Sequence, residues 1–434
     1  MTKLIVFNHS YLQKLKKITN LGLPTNPPPT MSQPLSFLCV STFFKGNEFL
    51  RSCKQAGNMV YLLTNKKLEH KPWVREYIDE VFYVEEKPDS SFDMNEIVLG
   101  LAYMMRAKKI DRIVALDDFD VEKAAHLREH FRIPGMGQTT SRHFRDKLAM
   151  RMKAQESGIK IPIFSSLFND QDIFEYTQKV TFPVVVKPRS EASATGIKKV
   201  YNADQLWEVV HQLGERRHEY LVEQFRPGDV FHVDSLSVDG KIIFTRCSQY
   251  LSTPMEVAHG GGIFRSVTVP FGSKDDEALQ KANEEVMKAF GMNYSASHSE
   301  FIKDHQTGEI IFLETASRVG GANLAEMVEA SSGINLWREW AKIETAMARG
   351  EAYVLPKVEN NYSGIVISLC NHECPDTETF NDPEIYWRME MEHHIGFIVK
   401  ADNRERVVEL LEDYTKRIYD GFHASAPIPD VSAH

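Results

Sequence analysis

Short apolar runs alternate with stretches of helical periodicity over the first third of the chain. The apolar runs read LSFLCVST, MVYLLTN, VFYV and RIVALDD, and the helical stretches cover residues 47–56 and 94–107. This alternation predicts an open parallel sheet with right-handed crossovers, in which ligands bind at the carboxyl ends of the strands. Asp117 and Asp118 lie at such an end, but no GxGxxG motif opens the first crossover, so the pattern does not support a dinucleotide site.

A second pattern places lysines beside an anion-binding loop. A helix is predicted over 141–156, capped by Ser141, and it carries Lys147, for which an ordinary solvated position is the alternative. The run FPVVVKPRSEASATGIKKV predicts a strand that ends at Lys187, then a loop of small and hydroxyl residues, then a second strand. Successive backbone amides, hydroxyl groups and a lysine bind phosphate well, although a polar hairpin turn would have the same composition. No GxxxxGK[ST] motif occurs in the chain.

The segment YLVEQFRPGDVFHVDSLSVDGKIIF predicts a strand, a turn and a hairpin closed by Asp239-Gly240. If a nucleotide lies on the Lys187 loop, the strand end at Glu223, Gln224 and Phe225 offers backbone hydrogen bonds to adenine. Asp229 would then accept from ribose hydroxyls, although a turn residue is the simpler explanation of Asp229 alone.

Two carboxylates are predicted to face each other in the segment HSEFIKDHQTGEIIFLETASR. Gln306-Thr307-Gly308 forms a three-residue loop with a left-handed glycine at its end, so Glu300 lies opposite Glu314 and Ile302 opposite Phe312. Carboxylates roughly 5 Å apart repel by about 3 kcal/mol at an effective dielectric constant near 20. This repulsion indicates a bound cation, whereas a register slip of one residue would move the carboxylates to opposite faces.

Composition narrows the class of protein. The 434 residues are 42% hydrophobic and 26% charged, with a net charge of -9, which predicts a soluble globular protein of several units and no nucleic-acid or membrane-surface binding. There is no membrane-length apolar run and no leader with an h-region, so we expect a cytoplasmic protein with small-molecule partners. Five cysteines do not form a disulfide framework, and the CNHEC run at 370–374 is interpreted as a loop with buried thiols in preference to a zinc site.

Taken together, these features resemble the ATP-grasp superfamily. The resemblance covers roughly residues 35–430 and is carried, in order, by Lys147, by Lys187 with its loop, by the VEQF strand with Asp229, by Glu300 opposite Glu314, and by Arg318. The nearest subgroup is the carboxylate–amine ligases, which include dipeptide-forming enzymes. The residues after 355 resemble the C-terminal part of biotin carboxylase-like members.

The resemblance implies an α/β architecture in three parts. These are an N-terminal open parallel α/β domain (31–140), a two-lobed ATP-grasp fold that clamps ATP (141–350, with a small lid lobe at about 180–255) and a C-terminal α+β subdomain (351–434). Residues 1–30, which end in a proline cluster, are expected to be a poorly structured extension. The oligomeric state is left open, with a homodimer as one possibility.

The resemblance also implies residue roles. ATP phosphates would contact Lys147, Lys187 and the loop residues Ser193, Ala194, Thr195 and Gly196; adenine would contact Glu223, Gln224 and Phe225; ribose would contact Asp229; Mg²⁺, or alternatively Mn²⁺, would bind Glu300 and Glu314. Arg318 would orient an acyl phosphate, with a surface salt bridge as the alternative. A second patch, His259 to Gly262 with Arg265, would close over substrate, although a simple mobile loop explains it equally well.

One departure from the family pattern concerns the metal site. Many members carry asparagine two residues after the second glutamate, whereas this chain has Ala316 there and so lacks an oxygen ligand. The expected function is an ATP- and Mg²⁺-dependent ligase that joins a carboxylic acid to an amine through an acyl phosphate. The alternatives are a carboxylase-like enzyme that uses bicarbonate and a non-catalytic nucleotide-binding regulator.

Overall fold

The computed structural model describes residues 34–87, 91–192 and 195–425, and of residues 258–260 it describes the backbone alone. The predicted extension, residues 1–30, lies outside this part of the chain. Within the described residues no helix has the length and apolar character that a membrane span requires.

The N-terminal unit is a four-stranded parallel sheet of order β3-β2-β1-β4, as the alternating pattern predicts. Its elements are β1 (Ser36–Ser41), α1 (Asn47–Gln55), β2 (Met59–Asn65), β3 (Glu80–Val84), α2 (Met94–Met104), β4 (Arg112–Ala115) and α3 (Val121–Phe131). Every residue of β1 is buried, because the central strand of a parallel sheet is covered on both faces. Phe49 of α1 packs edge-on against Trp340 at a ring separation of 5.0 Å, which joins this unit to the rest of the protein.

The helix predicted over 141–156 is two helices, α4 (Gln138–Arg142) and α5 (Lys147–Glu156). The cap of α5 is Asp146, whose carboxylate accepts from the backbone N–H groups of Leu148 and Ala149. The Ser141 cap was therefore wrong, because Asp146, five residues after Ser141, satisfies the first free amides of the second helix instead. The split places Lys147 in the first turn of α5.

A small antiparallel sheet follows, of order β5-β8-β6-β7. Its elements are β5 (Phe164–Ser166), α6 (Asp170–Lys179), β6 (Val184–Pro188), β7 (Lys198–Val200), α7 (Ala203–Leu213) and β8 (Tyr220–Gln224). The sequence predicted a small lid lobe at about 180–255, and the small sheet itself runs from residue 164 to residue 224. The next two strands, β9 (Gly228–Val238) and β10 (Lys241–Tyr250), belong to another sheet, because β9 pairs with β12 from Ser295 to Asp304.

The third sheet has eight strands in the order β13-β12-β9-β10-β11-β14-β16-β15. The remaining elements are α8 (Pro254–Gly260), β11 (Phe264–Thr268), α9 (Lys274–Phe290), β12 (Ser295–Asp304), β13 (Ile310–Ala316), α10 (Leu324–Ser332), α11 (Leu336–Arg349), β14 (Tyr362–Leu369), β15 (Ile385–Arg388), β16 (His394–Ala401) and α12 (Arg404–Gly421). The three strands after residue 351 extend this sheet through the pairing of β11 with β14. The mixed α/β class is confirmed, whereas the division into domains stays a prediction.

Candidate active site

A cavity of about 660 Å³ is lined from both antiparallel sheets and from the connection after β4. The predicted site residues that line it are Lys147, Lys187, Thr195, Glu223, Gln224, Phe225, Glu300, Glu314 and Arg318. These side chains come from segments up to 171 residues apart in the sequence, and the fold brings them to one enclosed volume. Such a cavity, with a few convergent charged groups, is the usual form of a small-molecule site.

Glu300 and Glu314 do face each other in the β12–β13 hairpin, but the route to this register differs from the prediction. The loop has four residues, 305–308, because the Asp304 N–H donates to Glu309 O. Phe301 consequently faces Phe312, and the predicted pairing of Ile302 with Phe312 was wrong. A bulge at Leu313 inserts one extra residue and restores the alignment of the two glutamates, as bulges next to sites often do. Gly308 takes the predicted left-handed conformation, with φ of 68°.

The two facing carboxylates have different neighbours. Glu300 accepts a hydrogen bond from the Tyr250 hydroxyl at 2.9 Å, whereas Glu314 lies 3.1 Å from Lys147 Nζ. Burial alone would raise the pKa of Glu314, but the charges of Lys147 and Lys187 outweigh it and lower that pKa. Both side chains line the cavity, and carboxylate oxygens are the ligand type that Mg²⁺ prefers.

A buried triad lies beside this pair. Lys187 Nζ donates to Glu223 Oε1 at 2.5 Å, and Arg151 Nε donates to Glu223 Oε2 at 2.9 Å. Burial lowers the pKa of Lys187 to about 8, although the Glu223 carboxylate partly opposes the shift. The side chain of Glu223 thus holds Lys187 in place, a contact that the sequence did not indicate.

The strand end at Gln224 and Phe225 lies in the cavity wall, as expected. The N–H groups of these two residues donate to Ile163 O and Pro183 O. The backbone N–H groups of this pair are therefore already hydrogen-bonded within the protein.

Arg318 is half-buried and contacts Asp118, which follows β4. Its Nη2 donates to Asp118 Oδ2, and its Nη1 donates to Val319 O at 2.9 Å. Burial would lower the pKa of Arg318, but the Asp118 carboxylate outweighs it and raises the pKa above its usual range. Burial would likewise raise the pKa of Asp118, but Arg318 and Arg145 hold it low. Asp118 was identified from the sequence only as a strand end, since nothing local signals a partner 200 residues away.

A second buried network was missed. Asp234 Oδ1 accepts from His298 Nδ1 at 2.9 Å, and Asp234 Oδ2 accepts from His232 Nδ1 at 2.7 Å. Burial disfavours the charged forms of both Asp234 and His298. The attraction between the two groups nevertheless lowers the pKa of Asp234 and raises the pKa of His298 to about 9. The signal was the period-two alternation in HSEF, which puts His298 on the same face as Glu300.

Three predicted site residues lie outside the cavity lining. The neighbours of Arg265 in β11 are Phe264, which lines the cavity, and Ser266, which is hydrogen-bonded to His232. Side chains alternate along a strand, and that of Arg265 lies on the face opposite to Phe264, where it donates to Ser252 Oγ at 3.1 Å. Asp229 is exposed and contacts His305 Nε2 at 3.2 Å. Gly196 follows the cavity residue Thr195 and takes a left-handed φ of 70°.

Other predicted features have the following outcomes. Ser193 and Ala194 lie outside the described residues. The predicted loop around 259–262 is in part the helix α8, which has a capping box between Thr253 and Glu256 and is capped at its C-terminal end by Gly261 in a left-handed conformation. Among the described residues, the only group of three or more potential metal ligands is His232, Asp234 and His298, so the CNHEC run does not form one.

Comparison with known proteins identifies similar ligases. Residues 155–252 match the model of the D-Ala-D-Ala ligase C-terminus. The L-arginine-specific L-amino acid ligase of Bacillus subtilis is 27% identical over 299 residues, which cover 67% of this chain and 70% of the relative.

Two solved structures share the fold. The L-amino acid ligase of Bacillus licheniformis superposes with a TM-score of 0.70 at 16% identity, over 90% of this chain and 98% of the other. The biotin carboxylase domain of Hydrogenobacter thermophilus 2-oxoglutarate carboxylase, solved with MgADP and bicarbonate, has a TM-score of 0.66 at 17% identity, over 90% of each chain. At these identities the structures establish a common fold.

Proposed function

Since this chain is an ATP-grasp protein of the carboxylate–amine ligase type, we propose that it couples the carboxylate of an amino acid to an amine and converts ATP to ADP and phosphate. The observation that carries the proposal is the facing pair Glu300 and Glu314, in one cavity with Lys147, Lys187 and Arg318. This set combines anionic oxygens for a metal ion with cations for phosphate and carboxylate groups.

The nucleotide end of the cavity is assigned to the two lysines and the small sheet. Lys147 and Lys187 bind phosphate oxygens, together with the loop at Ser193, Ala194, Thr195 and Gly196. Gln224 and Phe225 border the adenine, and Asp229 is assigned to the ribose. Glu223 is assigned a supporting role, because its carboxylate is occupied by Lys187 and Arg151.

Glu300 and Glu314 are the residues that fit a divalent cation. The donor set of two carboxylates suits Mg²⁺ and admits Mn²⁺. When bound, such an ion neutralises charge on the ATP phosphates.

The proposed reaction has two steps. A substrate carboxylate oxygen attacks the γ-phosphorus of ATP, the bond from that phosphorus to the bridging oxygen of ADP breaks, and an acyl phosphate forms. The amine nitrogen then attacks the acyl carbon, the carbon–oxygen bond to phosphate breaks, and the nitrogen loses a proton as the amide forms. We assign to Arg318 the orientation of the carboxylate and of the acyl phosphate, because a planar guanidinium matches either group.

The amino-acid substrate is inferred from two of the proteins named above, which are both described as L-amino acid ligases. A bicarbonate substrate is the second candidate, since one structural neighbour holds bicarbonate beside MgADP. A cytoplasmic location and a homodimer remain predictions, and light scattering of the purified chain tests the latter.

The proposal is tested by ADP release with Mg²⁺-ATP against a panel of amino acids, other carboxylates and bicarbonate, each with and without amines, with product masses determined. An amide of the expected mass supports it, whereas nucleotide binding without ADP release under any condition contradicts it. Glu314→Gln should lower turnover by at least about a hundredfold. The matched control is Glu309→Gln in the same hairpin, where Glu309 is exposed and pairs with Lys160. Equal turnover of the two variants would contradict the assigned site.

A further inference from the structure

His298 lies directly opposite Ala316 in the β12–β13 pair. Both residues line the cavity with Glu300 and Glu314, which are the next positions on the same face of their strands. These four adjacent positions therefore hold two carboxylates, one imidazole and one methyl group. The methyl group of Ala316 supplies no ligand at the position where many family members have an amide oxygen.

The two ring nitrogens of His298 have different surroundings. Nδ1 donates to Asp234 Oδ1 at 2.9 Å, and Asp234 is fully buried. Nε2 lies 3.6 Å from Glu300 Oε1 and 3.5 Å from the Tyr250 hydroxyl. Both distances exceed the roughly 2.7–3.2 Å of a normal N–H···O bond. Nε2 thus faces the carboxylate of Glu300 and the hydroxyl of Tyr250, and both contacts are long.

We propose that Nε2 of His298 is a ligand of the divalent cation held by Glu300 and Glu314. The inference rests on the proposed function for the position of that cation. His298 supplies a nitrogen ligand directly opposite Ala316, the position at which this chain lacks an oxygen ligand. A histidine that binds a metal through one nitrogen and donates to a carboxylate through the other is a recurrent arrangement, and here Asp234 is that carboxylate.

The nitrogen donor has a consequence for metal choice. Imidazole binds Mn²⁺ and later transition ions better than Mg²⁺, which prefers an all-oxygen shell. The cavity should therefore bind Mn²⁺ more tightly than Mg²⁺.

The chain offers a matched control in His232. This residue is buried and donates to the same Asp234, but its Nε2 is hydrogen-bonded to Ser266 Oγ at 2.7 Å. His232→Gln changes the Asp234 network and leaves the proposed ligand in place. His298→Ala removes the ligand.

The test is electron spin-echo modulation of Mn²⁺ bound with ADP to the full-length protein. Protein with ¹⁵N-labelled histidine is compared with unlabelled protein, so that adenine nitrogens, which stay ¹⁴N, are told apart from imidazole. We expect a directly bound ¹⁴N in the unlabelled protein, its replacement by ¹⁵N in the labelled protein, its loss in His298→Ala and its retention in His232→Gln. His298→Ala should also weaken Mn²⁺ binding by at least about tenfold.

The labelled wild-type protein decides the question even if a variant does not fold. Bound Mn²⁺ without histidine nitrogen coupling overturns the assignment of His298 and leaves the ligase proposal standing. A histidine signal that survives in folded His298→Ala also overturns the assignment. Unchanged Mn²⁺ binding in Glu314→Gln overturns the metal site itself, and with it this inference.

Discussion

Arg318 and Asp118 form an ion pair between the end of β4 and the segment after β13, two parts of the chain that are 200 residues apart. The contact connects the parallel N-terminal sheet to the cavity. It also holds the guanidinium that is assigned to the substrate carboxylate, so substrate binding should depend on a residue of the N-terminal unit.

Replacement of Asp118 tests this dependence. Asp118→Asn should raise KM for the acid substrate by about tenfold, because a neutral amide holds the guanidinium less firmly. The Kd of ATP should stay as in the wild type. The control is Asp117→Asn, since Asp117 pairs with Lys45 and lies outside the cavity lining. Equal KM values for both variants would show that Asp118 does not position Arg318.

Glu223→Gln should destabilise the protein by about 3 kcal/mol, because it leaves two buried cations, Arg151 and Lys187, without a carboxylate. Urea denaturation followed by tryptophan fluorescence measures the change. The exposed Glu219, which pairs with Arg216, provides the comparison: Glu219→Gln should cost less than about 1 kcal/mol. A loss of less than about 1 kcal/mol in the free energy of unfolding of Glu223→Gln would contradict the described triad.

Two adjacent glycines after Arg318 should respond differently to alanine. A Cβ at Gly320 would lie 2.9 Å from His298 Nδ1 and 3.0 Å from Asp234 Oδ1, whereas a Cβ at Gly321 would meet nothing within 4 Å. Gly320→Ala should therefore lower the free energy of unfolding by about 1–3 kcal/mol through overpacking, with little change for Gly321→Ala. The same denaturation assay ranks the two variants. An equal response would mean that the loop passes farther from the His298 network.

The pH dependence of stability should contain a contribution from Glu344 on α11. Burial raises the pKa of Glu344 to about 7 from an ordinary 4.5, although Arg128 opposes the shift, and Trp340 Nε1 donates to its carboxyl at 3.1 Å. Between these pH values the folded protein holds a proton that the unfolded chain has lost. The stabilising contribution is therefore complete below about 4.5 and is lost as the pH rises through about 7.

Glu344→Gln removes this titration and keeps a carbonyl acceptor for Trp340. Between pH 5 and pH 8 the free energy of unfolding should fall less in the variant than in the wild type. The difference between the two decreases should be up to roughly 3 kcal/mol, because one pKa unit corresponds to about 1.4 kcal/mol. Thermal unfolding at the two pH values measures the difference. Glu351→Gln, at an exposed position after the same helix, controls for the loss of one carboxylate. Parallel pH profiles of Glu344→Gln and the wild type would refute the prediction.

Local pattern was sufficient for most of the elements. Strands β1, β2 and β6 and the Asp239-Gly240 turn follow from period, apolar runs and turn chemistry, which depend on neighbours along the chain. The facing of Glu300 and Glu314 was also predicted, although it arises from a four-residue loop and a bulge at Leu313 rather than from a regular hairpin. The predicted loop was one residue too short, and the extra residue at the Leu313 bulge offset this error.

Tertiary structure alone decided the partners of the charged groups. The sequence indicated that Lys187, Arg318 and Glu314 belong to the site, but it did not indicate their partners. In the structure Lys187 pairs with Glu223, Arg318 with Asp118, and Glu314 with Lys147. The sequence also could not place Arg265 on the far face of β11 or assign β9 to the large sheet. The physical reason is range: periodicity and capping act over a few residues, whereas ion pairs and sheet partners depend on segments that meet only after the chain has packed.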